Sequence, residues 1–433
     1  MTWPIIVLFA SFFILLLINV PVAFCMGIST VLAIIAIGDL PAFTAVAHKI
    51  ATGIDSFALL AIPFFILSGL LMEKGGIARR LIDAANALVG RFRGGLALVN
   101  ILTCMLFGAI SGSATAAVSA IGGFMVPLMN SKGYDREFNT SVTVSASTTG
   151  LLIPPSNVMI VYSLATGGMV SIAAIFIAGY IPGILTGIAL MLVSSLISIK
   201  HNYGKGETFT IKQTIKMLLE SVGPLFLIFV AIGGILLGWF TPTEASAVAV
   251  LYSFILAVLV YREVKLKELP KLFLQTGVTT SVVFLLIGTS MAMSWVMASE
   301  NLPQNISQAL IGTINNKVLV LLIINALMLV VGCFMDMTPA ILIFTPIFLP
   351  VVLKFGIHPL HFGIILIMNL CIGLCTPPVG TCLFLGCGIA QTTVSKVIRH
   401  ILPFYVALIA ALLICTYVPA LSMWLPEQLK LVK

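Results

Sequence analysis

The chain has 433 residues, of which 60% are hydrophobic and 8% are charged. A soluble domain carries about 25% charged residues, so this chain lacks the polar surface that a water-facing globule needs, and lipid is its main solvent. The formal net charge of +8 does not point to nucleic acid, because the Lys and Arg residues stand in short loops between apolar runs, as the cytoplasmic bias of basic loops requires.

In chain order, no charge occurs from Met1 to Gly38. That run is too long for one crossing of about 20 residues, and Asn19-Val20-Pro21 divides it into two short helices. No Lys or Arg precedes Lys49, so the basic start of a cleaved signal peptide is missing and the first run reads as a retained membrane helix. Further apolar runs cover 56–72, 94–131, 138–199, 221–243, 245–261, 272–299, 318–335, 337–353, 355–395 and 401–425. The eight cysteines lie in or beside these runs without a CxxC pair. They read as small apolar side chains rather than as disulfides or metal ligands. Thr241-Pro242-Thr243-Glu244 reads as a capping box with Pro at the first helical position, which makes Glu244 structural.

Loop charge sets direction. Lys74, Arg79, Arg80, Arg91 and Arg93 mark one cytoplasmic loop. Lys200, Lys205, Lys212 and Lys216 mark a second, Arg262, Lys265, Lys267 and Lys271 a third, and Lys396 with Arg399 a fourth. The segments around Asp39, Gly167 and Glu300 are poor in positive charge and read as external. These assignments agree with an external N-terminus and about ten crossings, plus two segments that enter and leave on one side. Those two are 94–131, with Ser111-Gly112-Ser113-Ala114-Thr115 at its centre, and 318–353, with Asp336-Met337-Thr338-Pro339 at its centre. Each arm of about 16 residues reaches roughly 24 Å, short of a roughly 30 Å hydrocarbon core. An ordinary pair of short helices with an external loop would also return the chain to the same side. Arm length and tip chemistry favour re-entrant hairpins.

The halves repeat. Phe124-Met125-Val126-Pro127 parallels Ile347-Phe348-Leu349-Pro350, and at the same offset Leu152-Ile153-Pro154-Pro155 falls on Cys375-Thr376-Pro377-Pro378. Ser113 then falls on Asp336 and Thr115 on Thr338. The basic loop 74–93 matches the charge-poor loop 299–317, so the halves insert in opposite directions. The expected fold is an all-α polytopic membrane protein, an inverted repeat with two re-entrant hairpins and two broken helices, the architecture of secondary transporters. Residues 1–215 form the first repeat with a linking helix (hairpin 94–131, broken helix 138–168). Residues 216–433 form the second (hairpin 318–353, broken helix 357–391), ending in a C-terminal helix.

Pro154-Pro155 and Pro377-Pro378 remove backbone donors and free upstream carbonyls, which would be oxygen ligands for a hard cation. One expected sodium site joins Ser111, Gly112, Ser113 and Thr115 to Thr149 and Gly150. The other joins Asp336 and Thr338 to Gly373 and Thr376. Asp336 is the main charged candidate at membrane depth, and it also stands where a helix cap would. An anionic substrate would lie between the sites, facing the positive ends of the half-helices, with Pro155, Ser156, Asn157, Pro378, Gly380 and Thr381 around it. No HExxH, P-loop or GxSxG is present. An ion gradient is therefore the expected energy source, with no cofactor beyond sodium and no enzymatic activity.

These residues resemble the large membrane subunit of tripartite ATP-independent periplasmic (TRAP) transporters. The matching stretches are 56–65, Ser111-Gly112-Ser113-Ala114, 122–127, Ile153-Pro154-Pro155-Ser156, 240–245 and Thr376-Pro377-Pro378-Val379-Gly380. The resemblance implies an elevator importer in a bacterial inner membrane, coupled to sodium. It also implies a small four-helix membrane subunit, a periplasmic substrate-binding protein and an organic-acid substrate. The tract 154–162 looks more like sialic-acid members than C4-dicarboxylate ones. Ala116-Ala117 depart from the family, which often has an acid after the first tip, so the first ion site would rely on hydroxyls and carbonyls. A stand-alone sodium–carboxylate symporter with the same repeat is the alternative.

Overall fold

The computed structural model describes residues 2–38, 41–204, 209–313 and 316–432, with only the backbone for 307 and 309–313. Asp39 and Lys205, two of the charges used above to orient loops, lie outside the described residues. Twenty α-helices follow one another, with no strand among the described residues. The first half contains α1 (Trp3–Leu17), α2 (Val22–Ile37), α3 (Ala42–Ile54), α4 (Ala61–Lys74), α5 (Ile77–Val89), α6 (Gly95–Ser111), α7 (Ala114–Ser131), α8 (Arg136–Ser147), α9 (Asn157–Ala165) and α10 (Ile172–Lys200). The second contains α11 (Ile211–Leu236), α12 (Pro242–Phe254), α13 (Leu269–Ser299), α14 (Leu302–Thr313), α15 (Lys317–Phe334), α16 (Met337–Lys354), α17 (Pro359–Leu374), α18 (Thr381–Ala390), α19 (Val394–Tyr417) and α20 (Ala420–Gln428). Among the described residues, nine helical stretches are long and apolar enough to cross a membrane.

Local chemistry sets the boundaries. Asn19 takes a left-handed φ of 65° between α1 and α2, and Pro21 stands at the cap of α2. Thr210 with Gln213 and Thr241 with Glu244 close reciprocal capping boxes on α11 and α12. The latter is the structural role expected for Glu244. Helices α3, α5 and α14 occupy segments that sequence reading left as loops. In α5, Arg79 points outward while Ile77, Ala78, Leu81 and Ile82 are buried, the stripe of an amphipathic surface helix. The C-terminal run 401–425 is not one helix, because Pro419 caps a separate α20.

One group of helices packs as a frame: α1 on α2, α2 and α3 on α13, α4 on α12 and α13, and α11 on α5 and α12. Ser68 of α4 meets Ser253 of α12 at 2.7 Å, an interhelical polar contact in a setting where each contributes roughly 0.6 kcal/mol. The other group holds the two helix pairs α6–α7 and α15–α16, the interrupted helices α8–α9 and α17–α18, and α10, α19 and α20.

Inside this second group the halves use the same joints. Asn100 of α6 donates to Thr143 of α8 at 2.7 Å, and Asn369 of α17 donates to Asn325 of α15 at 2.8 Å. Beside each polar joint two glycines touch. A Cβ added to Gly150 would lie 2.3 Å from Gly108 Cα, and one added to Gly373 would lie 2.4 Å from the Gly332 carbonyl carbon. Backbones approach this closely only at residues without side chains.

Substituting Val at Gly150 or Gly373 is expected to lower the melting temperature of the purified protein, at a cost of at least 1–3 kcal/mol, roughly that of overpacking. Gly123→Ala, whose added Cβ meets nothing within 4 Å, is the matched control and should leave the melting temperature unchanged or raised.

Candidate translocation site

The first helix pair turns at its tip in two residues. Gly112 ends α6 with a left-handed φ of 61°, and Ser113 begins α7 by accepting the Ala116 amide at 3.3 Å. In the second pair, Met335 and Asp336 are extended and α16 starts at Met337. Asp336 occupies the cap position but closes no side-chain cap hydrogen bond; its carboxylate meets the adjacent Met337 amide. The arms have 17, 18, 18 and 18 residues. At 1.5 Å per residue the longest reaches about 27 Å, a little below a hydrocarbon core of roughly 30 Å, while α7, α15 and α16 are among the nine stretches long and apolar enough to cross, so length by itself does not make the pairs re-entrant.

Each interrupted helix is a true break. After α8 the chain tightens into a short turn, Thr148–Leu151, passes a cis Pro154–Pro155 bond and restarts at Asn157. After α17 it passes a cis Pro377–Pro378 bond and restarts at Thr381. Tips and breaks adjoin. A Cβ built on Gly112 would stand 3.5 Å from Asn157 Nδ2 and from the Pro155 carbonyl oxygen. The Val379 amide donates to the Cys333 carbonyl at 3.1 Å.

A cavity of about 560 Å³ forms where these parts meet. Ser111, Gly112, Ser113 and Thr115 of the first tip line it, as do Asp336 and Thr338 of the second. Asn157 and Thr381 line it from the starts of α9 and α18. Eight of the expected site residues therefore share one chamber. Asn157 presents an Oδ1 without a hydrogen-bond partner among the described residues, an acceptor the protein leaves unused.

The other eight stand back from the chamber. Thr149 is fully buried and its hydroxyl donates to the Ala146 carbonyl at 2.6 Å. Gly150 and Gly373 are the packed glycines described above, so they bring backbones together rather than open the chain. The carbonyls near the second break are engaged within the protein: Gly373 accepts the Thr376 amide at 2.9 Å, Thr376 accepts the Gly380 amide at 3.1 Å, and Cys375 accepts the Tyr405 hydroxyl. The Thr376 hydroxyl donates to the Ile372 carbonyl at 2.7 Å. Pro155 faces Phe65 and Ser68 of α4 in a separate small void. Ser156 is fully buried, and its hydroxyl finds no partner among the described residues. Pro378 is exposed outside the chamber, and Gly380 is the buried cap of α18. Membrane burial explains the pattern, because peptide groups freed by a break must be satisfied by protein.

Sequence reading missed the far wall. Ile62, Ile66, Gly69, Leu70 and Glu73 of α4 line the chamber, spaced as one helical face. Gln275 and Thr279 of α13 complete it. Gln275 is the one amide in a run that also carries Thr276, Thr279, Thr280 and Ser281, so no sequence signal singled out the pair. His358 and His361, the only close histidine pair, lie elsewhere. His361 joins Ser422 at 2.7 Å and the Thr416 carbonyl at 3.2 Å.

Two helix pairs and two interrupted helices around a shared chamber are the architecture of a membrane transporter. The fold agrees with two solved transporters, each 14% identical to this chain. One is YdaH of Alcanivorax borkumensis (TM-score 0.61, covering 89% of this chain and 88% of that one). The other is MtrF of Neisseria gonorrhoeae (TM-score 0.58, 87% and 85%). Residues 9–421 match the family model of the tripartite ATP-independent periplasmic transporter, DctM component; the chain belongs to this family of large permease components. Among its relatives, the YgiK protein of Salmonella typhimurium is 51% identical over 98% of this chain and 97% of its own length. The C4-dicarboxylate TRAP transporter large permease protein DctM of Pseudomonas aeruginosa is 41% identical over 87% of each chain. The isethionate TRAP transporter permease protein DctMQ of Oleidesulfovibrio alaskensis is 40% identical over 97% of this chain, which spans 66% of that longer protein.

Cysteines introduced at Thr115 or Thr381 should react with a water-soluble maleimide, while cysteines at Ser156 or Thr149 should stay unlabelled until the protein is denatured. Labelling stoichiometry on a Cys333→Ala background checks this, since Cys333 is the one native cysteine that is not fully buried.

Proposed function

We propose that this large permease component carries an organic anion into the cell together with sodium ions, across a bacterial inner membrane. It would work with a small membrane subunit and a periplasmic binding protein. The observation that carries the reading is Asp336, an acid on the wall of an intramembrane chamber whose carboxylate closes no side-chain cap hydrogen bond. Such a residue is retained at membrane depth for a functional partner, and sodium is a hard cation that takes oxygen ligands. Thr338 and Thr381 add hydroxyls beside Asp336. The first tip offers Ser111 and Ser113, and the start of α9 the buried, unpartnered Asn157 Oδ1.

The anion would meet the starts of α7, α9, α16 and α18, where helix dipoles present positive ends. Among the described residues no Lys or Arg lines the chamber, so bound cations would supply the remaining countercharge. That is a physical reason for coupling. Relatives are named for C4-dicarboxylates, isethionate and 2,3-diketo-L-gulonate. A carboxylate or sulfonate on a short polar skeleton is common to all three, and sialic acid belongs to the same class. The fused relative DctMQ favours a small-subunit partner. The basic loops would face the cytoplasm and the N-terminus the periplasm. Glu73 precedes Lys74 and Gln275 follows Lys271, so the chamber opens toward the basic, inner end.

Reconstituted with the small subunit and binding protein, the chain should take up labelled succinate, isethionate or sialic acid only under an inward sodium gradient. Asp336→Ala should lower the initial rate at least tenfold, about what loss of one charge-assisted ligand costs. Equal uptake in potassium would contradict sodium coupling. Uptake by the chain alone would favour a self-sufficient symporter.

A further inference from the structure

A second cleft opens at the other end of the boundary between the two helix groups. It encloses about 730 Å³ between α3, the end of α13 and the connection from α9 to α10. Among the described residues, Lys49 is the only ionisable one that lines it. The ionisable residues of the chamber at the hairpin tips are Glu73 and Asp336, both acids. Charge therefore changes sign from one cleft to the other.

Lys49 is half-buried, and its ammonium lies 5.2 Å from the centroid of the Trp295 ring. No acidic side chain pairs with it among the described residues. The aromatic face holds the stem and one side of the ammonium, and the remaining N–H donors face the cleft. Walls of low dielectric concentrate the field of such a charge on whatever enters. A single unpaired cation in a water-filled cleft attracts a carboxylate or sulfonate, and Ser56 and Ser294 add hydroxyls for the polar skeleton.

We propose that this cleft is an outer organic-anion subsite, in which Lys49 binds the carboxylate or sulfonate before the anion reaches the hairpin tips. The proposal rests on the import reading above, which places the charge-poor end with Gly167 outside. It adds a division of labour. A fixed cation captures the anion at the outer cleft, whereas at the tips mobile cations and helix dipoles hold it. The anion is released from Lys49 as the tips engage it, and the protein then has no permanent ion pair to break before delivery inside.

The test uses the full complex with both partners, on a Cys333→Ala background, with whichever of labelled succinate, isethionate or sialic acid it takes up. Lys49→Gln should lower the initial rate at subsaturating substrate about tenfold, the loss of one charge-assisted contact, with an unchanged half-saturating sodium concentration. Lys49→Arg should keep most of the rate. Lys49→Cys should behave as Lys49→Gln. Treating that folded variant with an aminoethyl thiosulfonate, which restores a cation, should recover uptake, and a neutral thiosulfonate of equal size should not. Uptake by Lys49→Gln within twofold of the unaltered complex, or equal rescue by the neutral reagent, overturns the inference alone. No uptake by the unaltered complex overturns the import reading and this inference together.

Discussion

In hydrocarbon an unpaired peptide group has no water to turn to, and leaving one bare costs several kcal/mol. The two interrupted helices have to answer to that constraint, and the rest of the molecule is arranged around the answer. Each break is enclosed by a helix hairpin on one side and long helices on the other. At the second break the Gly373, Cys375 and Thr376 carbonyls all find donors from the protein, one of them a phenol sent across from α19. The packed pairs Gly108–Gly150 and Gly332–Gly373 set how closely hairpin and broken helix approach. Asn100–Thr143 and Asn325–Asn369 fix their register. The tips then protrude from a satisfied scaffold with a few polar atoms to spare.

Those spare atoms are distributed unevenly. The chamber at the tips carries two acids, unused oxygen and four helix starts, and the opposite cleft carries one lysine. Neither set suffices for an organic anion in a membrane. Acids alone repel it, and one surface lysine cannot hold it at depth. On the import reading proposed above, the two would form a route on which countercharge changes from a fixed side chain to carried ions. Helix α13 of the frame lines both clefts, whereas α4 lines only the chamber at the tips.

The parts of this arrangement that depend on local chain chemistry were legible in the sequence. Pro–Pro pairs at a shared offset marked both breaks, small and hydroxyl residues marked the first tip, and Asp336 stood out as an acid in an apolar stretch. What could not be read were relations across the chain. Gly150 was expected at the first sodium site because it lies just before a proline pair, yet it serves a contact with Gly108, 42 residues earlier. Thr149 and Thr376 carry the hydroxyl of a ligand, but each spends it on its own helix, a choice set by rotamer and burial rather than residue type. Glu73 follows directly on the apolar run 56–72 and so stood outside the spans, although helical spacing aims it at the chamber. The surface helices α3, α5 and α14 escaped because their apolar stripes are too narrow to resemble a crossing.

The central claim is that the tips hold sodium through Asp336. Its most direct test is thermal unfolding of the purified chain in rising sodium chloride, with potassium chloride keeping ionic strength constant. A ligand that binds only the folded state stabilises it by about 2.7 kcal/mol at a hundred times its dissociation constant. The account predicts a saturable rise in melting temperature with sodium that potassium does not produce and that Asp336→Asn abolishes. A melting temperature indifferent to sodium, or a rise that persists in Asp336→Asn, would contradict it.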